Sequence, residues 1–542
     1  MPSQPDLLPL AGRIEIFRQR LVAIAEQMGE TLARTAYSAN IKERRDHSAA
    51  LFGSRGDLLA QAAHIPVHLG SMPDCVSAVL AALRLGPGDE ALLNDPYAGG
   101  THLPDITLVS PVCVGGRVVG YAANRAHHSD VGGIVPGSMG VTTHIDQEGV
   151  RLPPTLWFAA GREDRSERDR LLAAVRTPNE RLGDLQAQRA ANAVGQRGLA
   201  ALIERTGARA FDELASALRD YAERLMRRAI ESIPRGIYES EDFLDGDGVS
   251  PRPIRIAVRL TVEDDRIVAD FEGTDAQASG CINCPLAVTR SAVAYVFACL
   301  AGPRLPHNAG MFAPLVVRAP RGSVVNAVFP AAVAAGNTET SQRIVDVAFA
   351  ALSRAVPRRF AAGSSGTMMS VSLGADDPHG GGALTFYETV AGGSGASAAG
   401  PGASAVHTHM TNTLNTPIEA LESSFPVRVR RYEVRQGSGG AGRHRGGDGV
   451  IREIEALVPL HASVLADRAS HGGRGAAGGQ DGSPLRVTHV RGDGSETELP
   501  SKAHADLSPG DRLRIETPGG GGYGPPPRKK KAGRVKDPPR RD

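Results

Sequence analysis

The stretch NDPYAGGTHLPDITLVSP, residues 94–111, followed by ANRAHHSDVGG at residues 123–133, gathers three histidines and three aspartates within the 36 residues from Asp95 to Asp130. Glycine and proline surround them rather than other polar side chains. In THLPDIT, His102 and Asp105 stand three apart, with Gly99 and Gly100 before them and Pro104 between them. That composition predicts a turn, on which a three-residue spacing can aim both side chains to one side. Asp105 leads into the apolar run ITLVSPV, and GGRVVGYAANRAHH reads as the returning strand of a hairpin. The hairpin carries His127 and His128 back beside His102 and Asp105. Neighbouring residues on a strand face opposite sides, so only one of His127 and His128 joins the pair easily and the other is free for a second role. A divalent cation held by imidazole and carboxylate needs three or four such groups converging. The competing reading is that these groups cap turns and satisfy buried backbone. The paired pattern, His-x-x-Asp against His-His-x-Asp, favours metal binding or catalysis. Asp95, just before Pro96, reads better as a turn residue. His64 and His68 in HIPVHLG are weaker candidates, because Pro66 between them argues against a shared helical face.

Outward from this region, residues 12–36 read as a helix, since Ile14, Phe17, Leu21, Ile24, Met28 and Leu32 recur every three or four positions. SRGD cuts the following apolar runs as in a strand pair, and a further helix is expected over Pro73 to Leu85. From Glu167 to Ile233 the period is helical again, with breaks at Pro178 and Gly207. The period then falls to two. Ile254, Ile256, Val258, Leu260 and Val262 alternate, and DDR followed by IVADFEG completes a hairpin signal, so a β-rich unit begins near Arg235. SAVAYVFACLAG (291–302) and SQRIVDVAFAALSRAV (341–356) read as buried helices. The glycine tracts AAGSSG, VAGGSGASAAGPG, SGGAGRHRGGDG and ETPGGGGYG are read as tight turns and close backbone approaches in a β-rich body rather than as linkers. The expected fold is α+β and multi-domain. An N-terminal mixed helix and strand unit with the metal site and a helical segment occupies residues 1–234, and a β-rich, glycine-rich unit with buried helices occupies 235–524. A disordered basic tail occupies 525–542.

The chain of 542 residues exceeds the usual single-domain size, which agrees with more than one packed unit. Its formal charge of +2 hides an asymmetry: from Arg528 onward eight basic and two acidic side chains leave the rest mildly acidic, with no basic face for nucleic acid. The tail reads as a solvated appendage, with polyanion binding as the alternative. The five cysteines form no disulfide framework, and the lone C-x-x-C of CINC (281–284) lacks the further ligands of a structural zinc site. No secretory leader is evident at the N-terminus, and no apolar run reaches the roughly 18 residues of a membrane span. A reducing cytoplasm fits best. Ser364, Ser365 and Ser394 lack the elbow of a nucleophilic serine, and no phosphate loop or dinucleotide fingerprint stands out.

Read together, NDPYAGGTHLPDITLVSPV, RAHHSDVGGIVPGSMG, QEGVRLPP, NERLGDLQAQRAAN, CPLAVTRSAVAY, AAGNTETSQRIVDV and TPGGGGYG resemble the hydantoinase B family, in the same order, from about residue 12 to residue 524. That family includes the B subunit of ATP-dependent N-methylhydantoinase, the C-terminal half of 5-oxoprolinase, and the α-type subunits of acetone and acetophenone carboxylases. The resemblance implies a hetero-oligomer in which a hydantoinase A-type partner binds ATP and phosphorylates the substrate, and this chain hydrolyses or carboxylates the activated intermediate. It places the metal, manganese or zinc, on His102, Asp105 and His127. His128 and Asp130 are then the expected groups for proton transfer, with Glu148 in QEG a remoter one. CINCPLA and His144 in TTHIDQEG depart from the family pattern without touching these ligands. The expected function is hydrolysis of a five-membered cyclic amide, the alternatives being a ketone carboxylase subunit and a non-catalytic scaffold.

Overall fold

A computed structural model describes residues 9–62, 65–378, 380 and 382–527. His64 and the basic stretch from residue 528 lie outside the described residues. Seven antiparallel strands make the first sheet: β1 (His47–Gly53), β2 (Leu58–Gln61), β3 (Glu90–Leu93), β4 (Asp105–Val114), β5 (Arg117–His127), β6 (Thr155–Ala159) and β7 (Arg162–Glu163), in the order β2-β1-β5-β4-β3-β6-β7. Its central strands are buried along most of their length because both faces are covered. On one side α1 (Leu10–Thr35) seats Phe17, Leu21, Met28 and Leu32 against Leu51 and Ala122. On the other, Val76 and Val79 meet Phe52, Val109 and Ala123; they belong to the helix Ser71–Ala82, which, after a short turn Ala39–Lys42 (α2), is α3.

The helical stretch forms as α4 (Arg165–Ala174), α5 (Pro178–Thr206) and α6 (Ala208–Glu231), with Pro178 opening α5 and Gly207, at φ 81°, separating α5 from α6. α5 lies over the same face of the sheet as α1, and its contact is polar. Three buried or half-buried amides, one turn apart, grip β4: Gln188 Nε2 donates to the Ile106 carbonyl at 2.9 Å, Asn192 Nδ2 to Leu108 at 3.1 Å and Gln196 Nε2 to Pro111 at 2.8 Å. Helix spacing of four puts them in one row, and the strand's outward carbonyls accept from that row.

The second sheet contains β8 (Gly236–Leu244), β9 (Ile254–Val262), β10 (Ile267–Asp270) and β11 (Leu315–Arg318), with β9 and β10 forming the expected hairpin. The alternating residues of β9 share an apolar core with α7 (Leu286–Ala301), α8 (Ser341–Ala355) and Met226 and Ile230 of α6. Beyond it, β12 (Ser370–Asp376), β13 (Ala383–Thr389), β16 (Leu460–Leu465) and β19 (Lys502–Leu507) form one sheet, and β14 (Val427–Arg435), β15 (Gly449–Ala456), β17 (Arg486–Val490), β18 (Glu496–Leu499) and β20 (Arg512–Glu516) form another. Val371, Leu373 and Val464 of the first share a core with Ile454, Leu513 and Ile515 of the second. The fold is thus α+β and multi-domain. No helix among the described residues is long and apolar enough to cross a membrane.

The glycine tracts do approach other backbone closely, but as a bundle rather than as strands or isolated turns. Gly519 to Gly522 run through its middle. Their N–H groups donate in turn to the carbonyls of Ser483, Gly447, Gly363 and Gln480. Their carbonyls accept in turn from Gly473, Gly440, Ala396 and Ala476. Gly519 and Gly522, three apart, therefore address the same two neighbouring segments, which is the repeat of an extended three-residue helix. Bonds radiating in every direction leave no room for a side chain: a Cβ on Gly520 would fall inside the Ser394 carbonyl oxygen. Ser364 and Ser394 belong to this bundle, their hydroxyls accepting from the Gly395 and Ala403 N–H groups. We expect Gly520→Ala to cost about 1–3 kcal/mol or more, seen as a melting temperature lower by several degrees. Gly400→Ala, where a Cβ meets nothing within 4 Å, should change stability by less than about 0.5 kcal/mol.

Candidate metal centre

β4 and β5 pair so that Asp105 lies directly opposite His127. Opposed residues project from the same face, and this face, shared with Thr107 and Arg125, looks toward α3. His102 comes from the turn just before β4, closed by the Asp105 N–H donating to the His102 carbonyl at 3.1 Å. All three side chains are buried. His102 Nε2 stands 3.3 Å from Asp105 Oδ1, His127 Nδ1 stands 3.1 Å from the same oxygen, and the two ring nitrogens are 3.1 Å apart.

The surroundings fix each group. His102 Nδ1 faces the Ala334 carbonyl at 3.2 Å, and a carbonyl only accepts, so Nδ1 carries the proton and Nε2 turns its lone pair to the cluster. Asp105 Oδ2 is held by the Thr101 hydroxyl and faces His68 Nε2 at 3.4 Å. The His68 ring is oriented in turn by Ser48 Oγ, 2.9 Å from its Nδ1. His127 stacks on Tyr387 with centroids 4.6 Å apart, and its buried Nε2 has no hydrogen-bond partner. Burial alone would raise the Asp105 pKa, but His102 and the other imidazoles hold it well below the usual carboxylate range. Burial also works against charge on His102, yet Asp105 outweighs it and raises that pKa, whereas burial prevails at His127 and His68 and lowers theirs.

The donor set fits a divalent cation. Ligand bonds of about 2.0–2.2 Å place neighbouring ligand atoms roughly 3.0 to 3.5 Å apart in octahedral or tetrahedral geometry, and the spacings here are 3.1 to 3.3 Å. One carboxylate with two imidazoles suits manganese or zinc.

The other expected residues lie elsewhere. Strand alternation sends His128 to the opposite face, toward α5, where its Nε2 lies 3.0 Å from Gln188 Oε1; burial, then Arg181, pushes its pKa down to about 4. Asp130, past the end of β5, accepts from the Arg176 backbone N–H at 2.9 Å and its guanidinium at 2.8 Å. The structure therefore does not bring His128 and Asp130 to the three ligands or pair them with each other. Glu148 sits closer. Its Oε1 accepts from the N–H groups of Val333 and Ala334 and from the Thr142 hydroxyl, and its Oε2 is buried without a partner. Burial pushes its pKa up to about 7. Ala334 thus meets Glu148 through its N–H and His102 through its carbonyl, which belong to successive peptide units.

Some neighbours had no local signature. Asn337 reaches His102 Nε2 with its Nδ2 at 3.1 Å from a π-helical turn, Gly336–Thr340, that precedes α8. Asp46 reads as surface charge in KERRD, yet it is buried; burial raises its pKa and His127 is the first influence opposing this. CINC has a structural part: burial pushes Cys281 and Cys284 up to about 12, and the Cys281 carbonyl accepts from Ala335 and Gly336 at the start of the π-turn. Asp95 caps its turn by accepting from the Tyr97 N–H and pairs with Arg151 at 2.7 Å.

A family profile described as Hydantoinase B/oxoprolinase matches residues 12–526. An uncharacterized protein of Methanocaldococcus jannaschii is 39% identical over 517 residues, covering 94% of this chain and 90% of its own length. 5-oxoprolinase 1 of Arabidopsis thaliana is 38% identical over 547 residues, covering 94% of this chain, which spans only 42% of that protein. Among solved structures, that of the ATP-dependent caprolactamase from Pseudomonas jessenii superposes with a TM-score of 0.89 at 28% identity, over 96% of this chain and 92% of the other.

Titration with manganese or zinc should load one ion per chain and raise the melting temperature. His102→Ala or His127→Ala should abolish that shift, whereas His128→Ala should keep it. A second outcome concerns pH. The folded state holds the Glu148 proton up to about 7, above the ordinary glutamate range of about 4.3, so this residue's contribution to stability falls as pH rises between those values. Glu148→Gln should gain stability relative to the parent chain across that interval and hold a constant difference above it, as read from paired melting curves.

Proposed function

Since the chain belongs to the hydantoinase B/oxoprolinase family, we propose that it is the catalytic subunit of an ATP-dependent hydrolase that opens a five-membered cyclic amide at its C–N bond. The observation that carries this reading is the convergence of His102, Asp105 and His127 on one buried point. A bound manganese or zinc ion would supply Lewis acidity, activating water or polarising a carbonyl or phosphoryl oxygen. The chain spans 42% of the length of the plant 5-oxoprolinase, and the reading assigns ATP binding and substrate phosphorylation to a hydantoinase A-type partner in a hetero-oligomer.

Within this chain the roles follow from contacts. His102 offers a lone pair fixed by the Ala334 carbonyl. Asp105 offers Oδ1 while Thr101 and His68 immobilise Oδ2. Glu148 holds the Val333 and Ala334 N–H groups with Oε1 and so positions the segment whose Ala334 carbonyl faces His102. His128 and Asp130 hold the frame, one on α5 and the other on Arg176.

The test is to co-purify the chain with its ATP-binding partner and follow ATP turnover with hydantoin, 5-oxoproline and acetone, each with and without bicarbonate. Turnover with a cyclic amide and no need for bicarbonate is expected, falling at least 100-fold in Asp105→Ala. Turnover that demands a ketone and bicarbonate would replace this reading by a ketone carboxylase. Unchanged activity in His102→Ala and Asp105→Ala, with no metal bound, would leave only a scaffold.

A further inference from the structure

A cavity of about 540 Å³ that shares no residue with the metal centre lies between β8, the second half of α8 and the segment after β16. Asp346, Phe349 and Ser353 recur on α8 at helical spacing and turn one stripe of it toward this space. Phe360 packs beside Phe349 with centroids 5.2 Å apart, so one wall is apolar and aromatic. The other wall is ionic. Asp346, Arg468, Asp242 and Arg474 form a chain of alternating charge: Arg468 pairs with Asp346 and, at 3.1 Å, with Asp242, which pairs at 2.7 Å with Arg474. Glu241, which also lines the cavity, is taken by Arg255 at 2.6 Å. Both ends of the chain have unused capacity. Asp346 gives Oδ2 to Arg468, but its Oδ1 makes no hydrogen bond, the nearest group being His409 Nε2 at 3.8 Å. Burial pushes the Asp346 pKa up to about 7 and that of His409 down to about 4, so the imidazole brings no positive charge. Arg474 engages only Nη2, with Asp242 and at 3.5 Å with His471, and its side chain is 56% exposed. The backbone here is strained as well. Of the eight non-glycine residues with positive φ among the described residues, His409 (59°), Arg468 (71°) and Ala477 (50°) line this one space, and such strain gathers where ligands are clamped.

We propose that this cavity binds a free α-amino acid, with its ammonium on Asp346 Oδ1, its carboxylate on the unused edge of Arg474 and its side chain against Phe349 and Phe360. A wall that already holds two charges of each sign gains little from a lone anion or cation, whose charge would enter a partly dry space unbalanced. A zwitterion brings both signs and joins the two ends of the alternating chain. The aromatic pair then selects an apolar side chain. This is a second site, connected to the metal centre by α8, which follows the π-turn beside His102 and carries Asp346 and Phe349 farther along. It does not depend on the reaction performed at that centre.

The experiment is calorimetric titration of the full-length chain with L-phenylalanine, phenethylamine and 3-phenylpropionate, of which the second lacks the carboxylate and the third the ammonium. L-Phenylalanine should bind once per chain and about tenfold or more tighter than either analogue. Arg474→Gln, at an exposed side chain, should weaken L-phenylalanine by about tenfold and bring it level with phenethylamine. Asp346→Asn should bring it level with 3-phenylpropionate. The L-phenylalanine affinity should agree within about threefold between the metal-free chain and the chain saturated with manganese. Equal affinities for the three probes, no binding of L-phenylalanine at about 10 mM, or an unchanged affinity in Arg474→Gln would overturn the assignment. Binding that appears only with manganese would place the amino acid on the metal and overturn it equally.

Discussion

Three amide side chains on one helix decide where the chemistry sits. Gln188, Asn192 and Gln196 donate to alternate stretches of β4 backbone, and Gln188 and Asn192 also engage Asn124 of β5. A strand can slip in register only by changing which carbonyls face the helix, and a slip of one residue would turn every side chain to the other face. Breaking this row would leave several buried amides unsatisfied at once. The pairing of Asp105 with His127 is therefore set from behind, by a helix on the far side of the sheet from the ligands. The same alternation separates His127 from His128 and gives one to the cluster and the other to α5.

The second half of the molecule is arranged around a different restriction. In the glycine bundle a backbone is surrounded by other backbones, and only hydrogen fits between them. This explains why the chain carries glycine where neither a turn nor a positive φ calls for it. It also explains how serines that look like candidate nucleophiles are occupied with holding main chain. Between the two halves runs the loop around Ala334, which accepts from His102 on one side and donates to Glu148 on the other, while the neighbouring π-turn presents Asn337. The candidate centre is thus built from both halves.

Much of this was legible in the residues. Periodicity located α1, α5, α6, α7 and α8, the alternation of β9 located its hairpin, and the turn before Asp105 with the returning strand put one of His127 and His128 beside His102 and Asp105, the family resemblance naming His127. Strand alternation also told that one of the paired histidines would leave. What alternation could not supply was the destination: His128 turns to Gln188 of α5 and Asp130 to Arg176. Asn337 was invisible because helical periodicity from Ser341 onward says nothing of a π-turn just before it. The row Gln188, Asn192 and Gln196 did have a signal, three amides at a spacing of four inside a helix. Without the sheet beneath them they read as solvent-facing.

The glycine bundle also imposes an order on biosynthesis. Its central thread, residues 519–522, is translated after every segment that surrounds it, from Gly363 to Ser483. At about 5–20 residues per second, the 363 segment waits roughly 8 to 30 seconds for its partner to be made. Until then those polar backbones must be kept apart from one another and from other chains by water or by helper proteins. The ligands on β4 and β5, the Ala334 loop and Asn337 are all synthesised before the thread begins, so the ribosome delivers the components of the candidate centre before the thread that closes the glycine bundle.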